Sequence, residues 1–199
     1  MRKGRKCPRC GSSNTAEILY GMPAFSEKLE KDMKEGKVVL GGCVVRSIPM
    51  NGEAVYCNPE RRCNACGKEF GTPPLLIAKD YSSAEDYRDI VREIRFYEKP
   101  AVGYSFGDVI VRKTDNGAVV MWGGKESHIS ADKWNEILDI LYTKIYLHEW
   151  KKTYWTFGIL DGEEWGLSLK LTNGRVRNYK GFNAYPPYWS VLQKLLTLR

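Results

Sequence analysis

Two cysteine pairs, Cys7-Pro8-Arg9-Cys10 and Cys63-Asn64-Ala65-Cys66, each followed by a glycine, constrain this chain more than any other feature. A two-residue spacing lets the backbone fold back so that both sulfurs point at one ion. The following glycine, Gly11 or Gly67, permits the left-handed turn that closes the loop. Together the pairs form the two halves of one tetrahedral site of four thiolates, which forces residues 7 and 66 to meet. The stretch between them, residues 11 to 62, is 52 residues long, against the roughly 12 to 20 usual in compact sites of this kind. Loop-closure entropy rises by only about 0.6 kcal/mol per doubling of length. Metal binding in small structural sites supplies roughly 10 to 16 kcal/mol, so the insertion is tolerable and is expected to carry its own secondary structure.

The chain has 199 residues, 43% hydrophobic and 28% charged, an ordinary soluble composition with room for one large domain or two small ones. No apolar run approaches the roughly 18 residues of a membrane span, and the basic start, Met1 to Lys6, leads straight into Cys7. A cytoplasmic location is therefore expected. Six cysteines could make three disulfides in a secreted chain, but these spacings favour metal and a reducing compartment.

The formal charge is +7, and four thiolates with one divalent ion lower it to +5. Residues 1–72 hold thirteen Lys/Arg against eight Asp/Glu, whereas residues 73–199 hold eighteen against sixteen. The excess sits with the cysteines, which points to an acidic partner such as nucleic acid.

Composition changes partway along: all six Cys lie at or before Cys66 and all six Trp at or after Trp122. Thr72-Pro73-Pro74 is a natural joint, because consecutive prolines continue neither a helix nor a central strand. Two domains are expected, 1–72 and 73–199.

In the first, 16–20 and 38–45 have strand character. A short helix between them, 26–35, would be capped by Ser26, stopped by Gly36, and carry Phe25, Leu29 and Met33 on one face. Val55 and Tyr56 lead into the second cysteine pair as a strand. In the second domain, 109–112 with 118–122, and 165–171 with 175–180, flank Asn116-Gly117 and Asn173-Gly174 and predict two hairpins. Ser130 caps a helix with Trp134, Ile137, Leu138, Leu141 and Ile145 at helical spacing. A last helix follows Pro186-Pro187, with Trp189, Leu192, Leu195 and Leu196 inward. Residues 86–98 fit either helix or strand, with a strand favoured over the second half.

The run from Cys7 to Gly42, CPRCGSSNTAEILYGMPAFSEKLEKDMKEGKVVLGG, continuing to CNACGKEFG, resembles a widespread set of bacterial zinc-ribbon proteins. The tail DGEEWGLSLKLTNGRVRNYKGFNAYPPYW, Asp161 to Trp189, is similar to a module found beside such ribbons. The resemblance implies a structural zinc ribbon with ligands Cys7, Cys10, Cys63 and Cys66, and implies no activity. The stretch from Cys57 to Arg62 lengthens the approach to the second pair, so Cys57 competes as a ligand.

Zinc is favoured over iron as the usual occupant of a structural site with four thiolates, and such a closed shell has no open position for water or substrate. Cys43, after Gly41-Gly42, is a candidate nucleophile, but a small buried residue at a strand end accounts for it better. His128 and His148 are the only histidines, and Ser127, His128 and Asp132 match a helix start better than a triad. No phosphate-binding glycine loop or HExxH is present.

Closing the metal site gathers Arg2, Lys3, Arg5, Lys6, Arg9, Arg61, Arg62 and Lys68, a set suited to phosphate contacts. The expected fold class is α+β: an N-terminal four-cysteine zinc ribbon with a helical insertion, then antiparallel hairpins packed with two helices. The expected function is non-catalytic binding with one structural Zn2+. The partner is nucleic acid at the basic surface, or alternatively a protein with the chain as adaptor; a second alternative is an enzyme using Cys43.

Overall fold

The computed structural model describes residues 5–50, 52–77, 84–102, 107–158 and 161–196, with no side-chain description at 76 and 77. It is mixed α+β, and it divides into two compact units, Met1–Asp86 and Tyr87–Arg199. No helix among the described residues is long and apolar enough to cross a membrane.

The first unit opens with β1 (Thr15–Leu19), then α1 (Glu27–Lys34) and β2 (Val38–Leu40), which pairs with β1 in parallel. Ser26 caps α1 by accepting from the Leu29 amide, and Gly36, at φ 67°, takes the left-handed turn that ends it. Of the expected apolar face only Leu29 is buried; Phe25 precedes the helix and is 73% exposed. The second strand is shorter than the expected 38–45. It stops at Leu40, and Gly41 to Arg46 form an exposed loop that leads into a hairpin, β3 (Ser47–Met50) with β4 (Glu53–Tyr56).

Next come β5 (Arg61–Cys63) and β6 (Glu69–Phe70), completing a four-stranded sheet of order β2-β1-β5-β6. The hairpin β7 (Leu75–Ile77) with β8 (Ala84–Asp86) closes the unit, β8 lying against β3. The Pro73-Pro74 segment expected as the domain joint thus lies within the first unit, whose grouping runs on through this hairpin.

The second unit begins with one helical turn, α2 (Tyr87–Ile90), which passes directly into β9 (Val91–Lys99). The ambiguous stretch is therefore helix, then strand. The strands β10 (Val109–Thr114), β11 (Gly117–Trp122) and β12 (Lys125–Ser130) follow as a meander. After α3 (Ala131–Asp139) the chain makes β13 (Thr153–Trp155), β14 (Glu164–Leu171) and β15 (Val176–Phe182), and ends in α4 (Trp189–Leu196). The seven strands form one sheet, order β12-β11-β10-β9-β14-β15-β13, antiparallel except for the parallel edge pair β13 and β15.

Alternation decides what each strand buries. Ile94 and Phe96 of β9, Val109 and Val111 of β10, Ala118 and Val120 of β11, and Trp165, Leu167 and Leu169 of β14 are buried together. The helices cover this face: Trp134, Ile137 and Leu138 line α3, which packs on β11, and Trp189 of α4 meets Phe96 and Trp165 at centroid distances of 5.9 and 4.6 Å.

The long helix expected from Ser130 through Ile145 is α-helical only to Asp139 and continues as a π-turn, Ile140–Lys144. The Thr143 hydroxyl donates to the Asp139 carbonyl at 2.6 Å, competing for that acceptor, and the Ile145 amide bonds the Ile140 carbonyl instead.

Candidate metal centre

Both cysteine pairs fold into the same turn, as their spacing requires. The Gly11 amide bonds the Cys7 carbonyl and the Gly67 amide the Cys63 carbonyl, each at 2.9 Å. The Cys7 amide bonds the Ser12 carbonyl and the Cys63 amide the Lys68 carbonyl, again each at 2.9 Å. Gly11 at φ 75° and Gly67 at φ 71° occupy the left-handed region where a Cβ would be strained. Pairing of β1 with β5, which sets Thr15 opposite Cys63, brings the two turns face to face.

The four sulfurs all lie within 4.8 Å of one another, with Cys7 to Cys66 at 3.7 Å and Cys10 to Cys63 at 3.6 Å. A tetrahedral ion with metal–sulfur bonds of about 2.3 Å needs sulfurs about 3.8 Å apart. Cys7, Cys10, Cys63 and Cys66 are thus positioned to hold a metal ion. Cys7 and Cys63 are fully buried and form a small apolar cluster with Phe70, against which Cys66 packs.

The electrostatics separate Cys7 from Cys63. Burial pushes the Cys7 thiol up to about 12. Burial opposes ionisation of Cys63 too, but the amides of Cys66 and Ala65 and the Cys10 and Cys66 thiols outweigh it and bring Cys63 down to about 7. Cys63 is thus drawn toward the thiolate, the form a metal requires.

Asn64, inside the second pair, pins the insertion to the site: its side-chain amide donates to the Gly36 carbonyl and to Asn14 Oδ1, both at 2.8 Å. Spacing arguments single out the cysteines and pass over this residue, whose partners come from distant turns.

Cys57 stands outside the tetrad, half-buried, its thiol turned to the Val55 carbonyl at 3.4 Å. Cys43 is exposed rather than buried, because the strand expected to hold it ends at Leu40. His128 is exposed on β12, and His148 lies in a 3-10 turn, Leu147–Glu149, with Nε2 3.7 Å from Glu149.

The basic residues have diverged in role. Arg2 and Lys3 lie outside the described residues. Arg5 pairs with Glu60 at 2.6 Å. Arg61 donates three hydrogen bonds of 3.0 to 3.1 Å to the Thr15 hydroxyl and carbonyl, fastening β5 to β1. Both arginines line an open cleft with Glu17, Glu60, Tyr20 and Tyr56, in which the charges balance. Arg9 and Arg62 are exposed, and Lys6 and Lys68 stand beside the same two cysteine turns.

No protein-family model, curated protein or solved structure matches the chain.

Proposed function

We propose that this chain is a non-catalytic binding protein whose first unit is a zinc ribbon with a helical insertion, working in the cytoplasm. Zinc is the ion that best suits four thiolates at these separations, and six cysteines without a disulfide suit a reducing compartment. The sequence resemblance to bacterial zinc-ribbon proteins supports the same reading. Four sulfurs saturate the ion, so it acts as a staple.

The partner is nucleic acid, held by its phosphates. One observation carries this: the tetrad sets two basic segments, Lys6 with Arg9 and Arg62 with Lys68, side by side although more than fifty residues separate them. Such contacts confer affinity with little sequence preference and weaken as salt rises.

The test is retention of labelled DNA and RNA by the metal-loaded chain over a salt series, with a double charge reversal, Arg9→Glu and Arg62→Glu. Affinity should fall steeply with salt and fall further in the double variant. Arg61 is unsuitable for this test, since its bonds to Thr15 make it part of the fold. Absence of retention at low salt refutes the nucleic-acid reading.

A protein adaptor is the second reading, favoured by exposed apolar side chains on the loops after β1 and β2: Met22 is 92% exposed, Phe25 73% and Val44 70%. A specific protein captured by the wild-type chain and lost with Phe25→Asp would favour it.

A further inference from the structure

The helices cover one face of the seven-stranded sheet; the other bears a set of side chains that the core does not use. Along β13, β15, β14 and β9 the outward positions fall into two adjacent rows. The first holds Trp155, Phe182, Glu164 and Lys99, and the second Thr153, Lys180, Gly166 and Tyr97.

Trp155 is 56% exposed and lies on Phe182 with centroids 4.8 Å apart and planes 25° from parallel. In the second row Tyr97 spreads its ring over Gly166, where any Cβ would collide with it. Its hydroxyl donates to Glu164 at 3.0 Å, and Lys99 Nζ stands 5.2 Å from the ring centroid.

The exposed Trp155 ring, with half-buried Phe182 and Tyr97 beside it, offers a flat aromatic surface that a partner can bury. The charges beside them select it. Lys99 and Lys180 are two strands and two residues apart, about 12 Å at standard sheet spacings. Lys152 adjoins Lys180 through the bond from the Lys180 amide to the Lys152 carbonyl, at 3.0 Å. Lys99, Lys152 and Lys180 form no ion pair with a described carboxylate; the one carboxylate in the rows, Glu164, accepts from the Tyr97 hydroxyl and keeps its charge opposite Lys99, so the surplus of positive charge lies with Lys180 and Lys152. Flat aromatic rings beside a net surplus of ammonium groups complement a chain that alternates bases with phosphates.

With nucleic acid adopted above as the partner class, we infer that the outward face around Trp155 and Phe182 binds single-stranded nucleic acid, stacking an unpaired base on Trp155 while Lys180 and Lys99 contact the flanking phosphates. Duplexes do not fit this role, because their bases are already stacked.

The experiment is fluorescence anisotropy of a labelled single strand of about twelve nucleotides, within the usual site size of such surfaces, using the full metal-loaded chain. Trp155→Ala should weaken binding about tenfold, within the range for loss of one stacked base. Trp155→Phe, which keeps a ring, should stay within about threefold. Lys180→Gln should lower the slope of log K against log salt by about 0.7, the contribution of one phosphate contact on a single strand. An unchanged thermal transition, followed by circular dichroism, shows that each variant is folded.

The Arg9→Glu, Arg62→Glu variant separates this inference from the preceding reading. If that variant loses binding while Trp155→Ala and Lys180→Gln bind as wild type, the sheet face is not the site and the ribbon reading stands. Loss only in the Trp155 and Lys180 variants supports the face and overturns the ribbon contacts. A duplex that depends on Trp155 as strongly as the single strand overturns the stacking role. A protein captured through Trp155 in place of nucleic acid overturns the assignment of partner.

Discussion

Removing the metal should unfold the first unit and leave the second standing, and the chain carries its own reporters for both halves of that statement. Among the described residues, the large apolar side chains buried in the first unit are Ile18, Leu29, Ile48 and Phe70. At about 1.5 to 3 kcal/mol each, they supply on the order of 6 to 12 kcal/mol of gross stabilisation. A structural zinc ion contributes roughly 10 to 16 kcal/mol in comparable sites, as much as these four side chains together. The unit cannot lose that contribution and stay folded against the conformational entropy of its 52-residue insertion. All six tryptophans lie in the second unit, so their emission reports on that unit.

Amide exchange reports on the first. The Gly11, Glu17, Cys63 and Gly67 amides are all hydrogen-bonded in the turns and the strands they join. Chelation, or Cys10→Ser, should abolish protection at these four amides while the tryptophan unfolding transition stays in place. Cys10 is the ligand to replace because its side chain is exposed, so serine there adds no buried hydroxyl. Elemental analysis must confirm loss of the ion. Retained protection after that loss would falsify the claim that the tetrad holds this unit together.

Two further expectations concern the second unit. Gly181→Ala would place a Cβ against the Trp165 indole nitrogen and the Ala184 carbonyl, which are joined by a 2.9 Å hydrogen bond; a loss of about 2 to 3 kcal/mol is expected, and an unchanged denaturation midpoint by tryptophan emission would refute it. Burial raises the phenols of Tyr142 and Tyr154 from 10.0 to about 12, so each favours the folded state fully below pH 10 and progressively less as pH rises through 12, about 3 kcal/mol apiece. Alkaline unfolding in that window, with tyrosinate absorbance appearing together with the loss of tryptophan structure, is the expected result; titration of both phenols near pH 10 in the folded chain contradicts it.

Features set by neighbours in sequence were legible in the chain, and features set by partners across the fold were not. The cysteine turns, the Ser26 and Ser130 caps and the Asn-Gly hairpins each depend on a few consecutive residues, and the structure holds all of them. The parallel pairing of β1 with β2 was not legible, because three residues of β2 carry no sign of strand direction. Nor was the π-turn after α3: Leu141 and Ile145 are buried as helical spacing predicts, and the switch of the Ile145 amide to the Ile140 carbonyl leaves no mark in that spacing.

The same distinction decides how the two surface clusters are to be understood. Counted along the chain, Arg5 and Arg61 add to the positive charge beside the cysteine pairs. Folding supplies Glu60 to one and Thr15 to the other, and two of the eight basic residues become structural. Trp155 moves the opposite way. Its neighbours, Thr153 and Tyr154, make a strand of three residues, too short for alternation to show which face is outward. Only the register that sets Trp155 beside Phe182 puts it on the solvent side, away from buried Tyr154. A count of basic residues therefore overstates what the cysteine site can offer phosphates, and a count of periodic tryptophans understates what the sheet can offer bases. If nucleic acid is the partner, binding should divide between the two, with the salt dependence shared by Arg9, Arg62 and the sheet lysines and the preference for unpaired bases residing in Trp155.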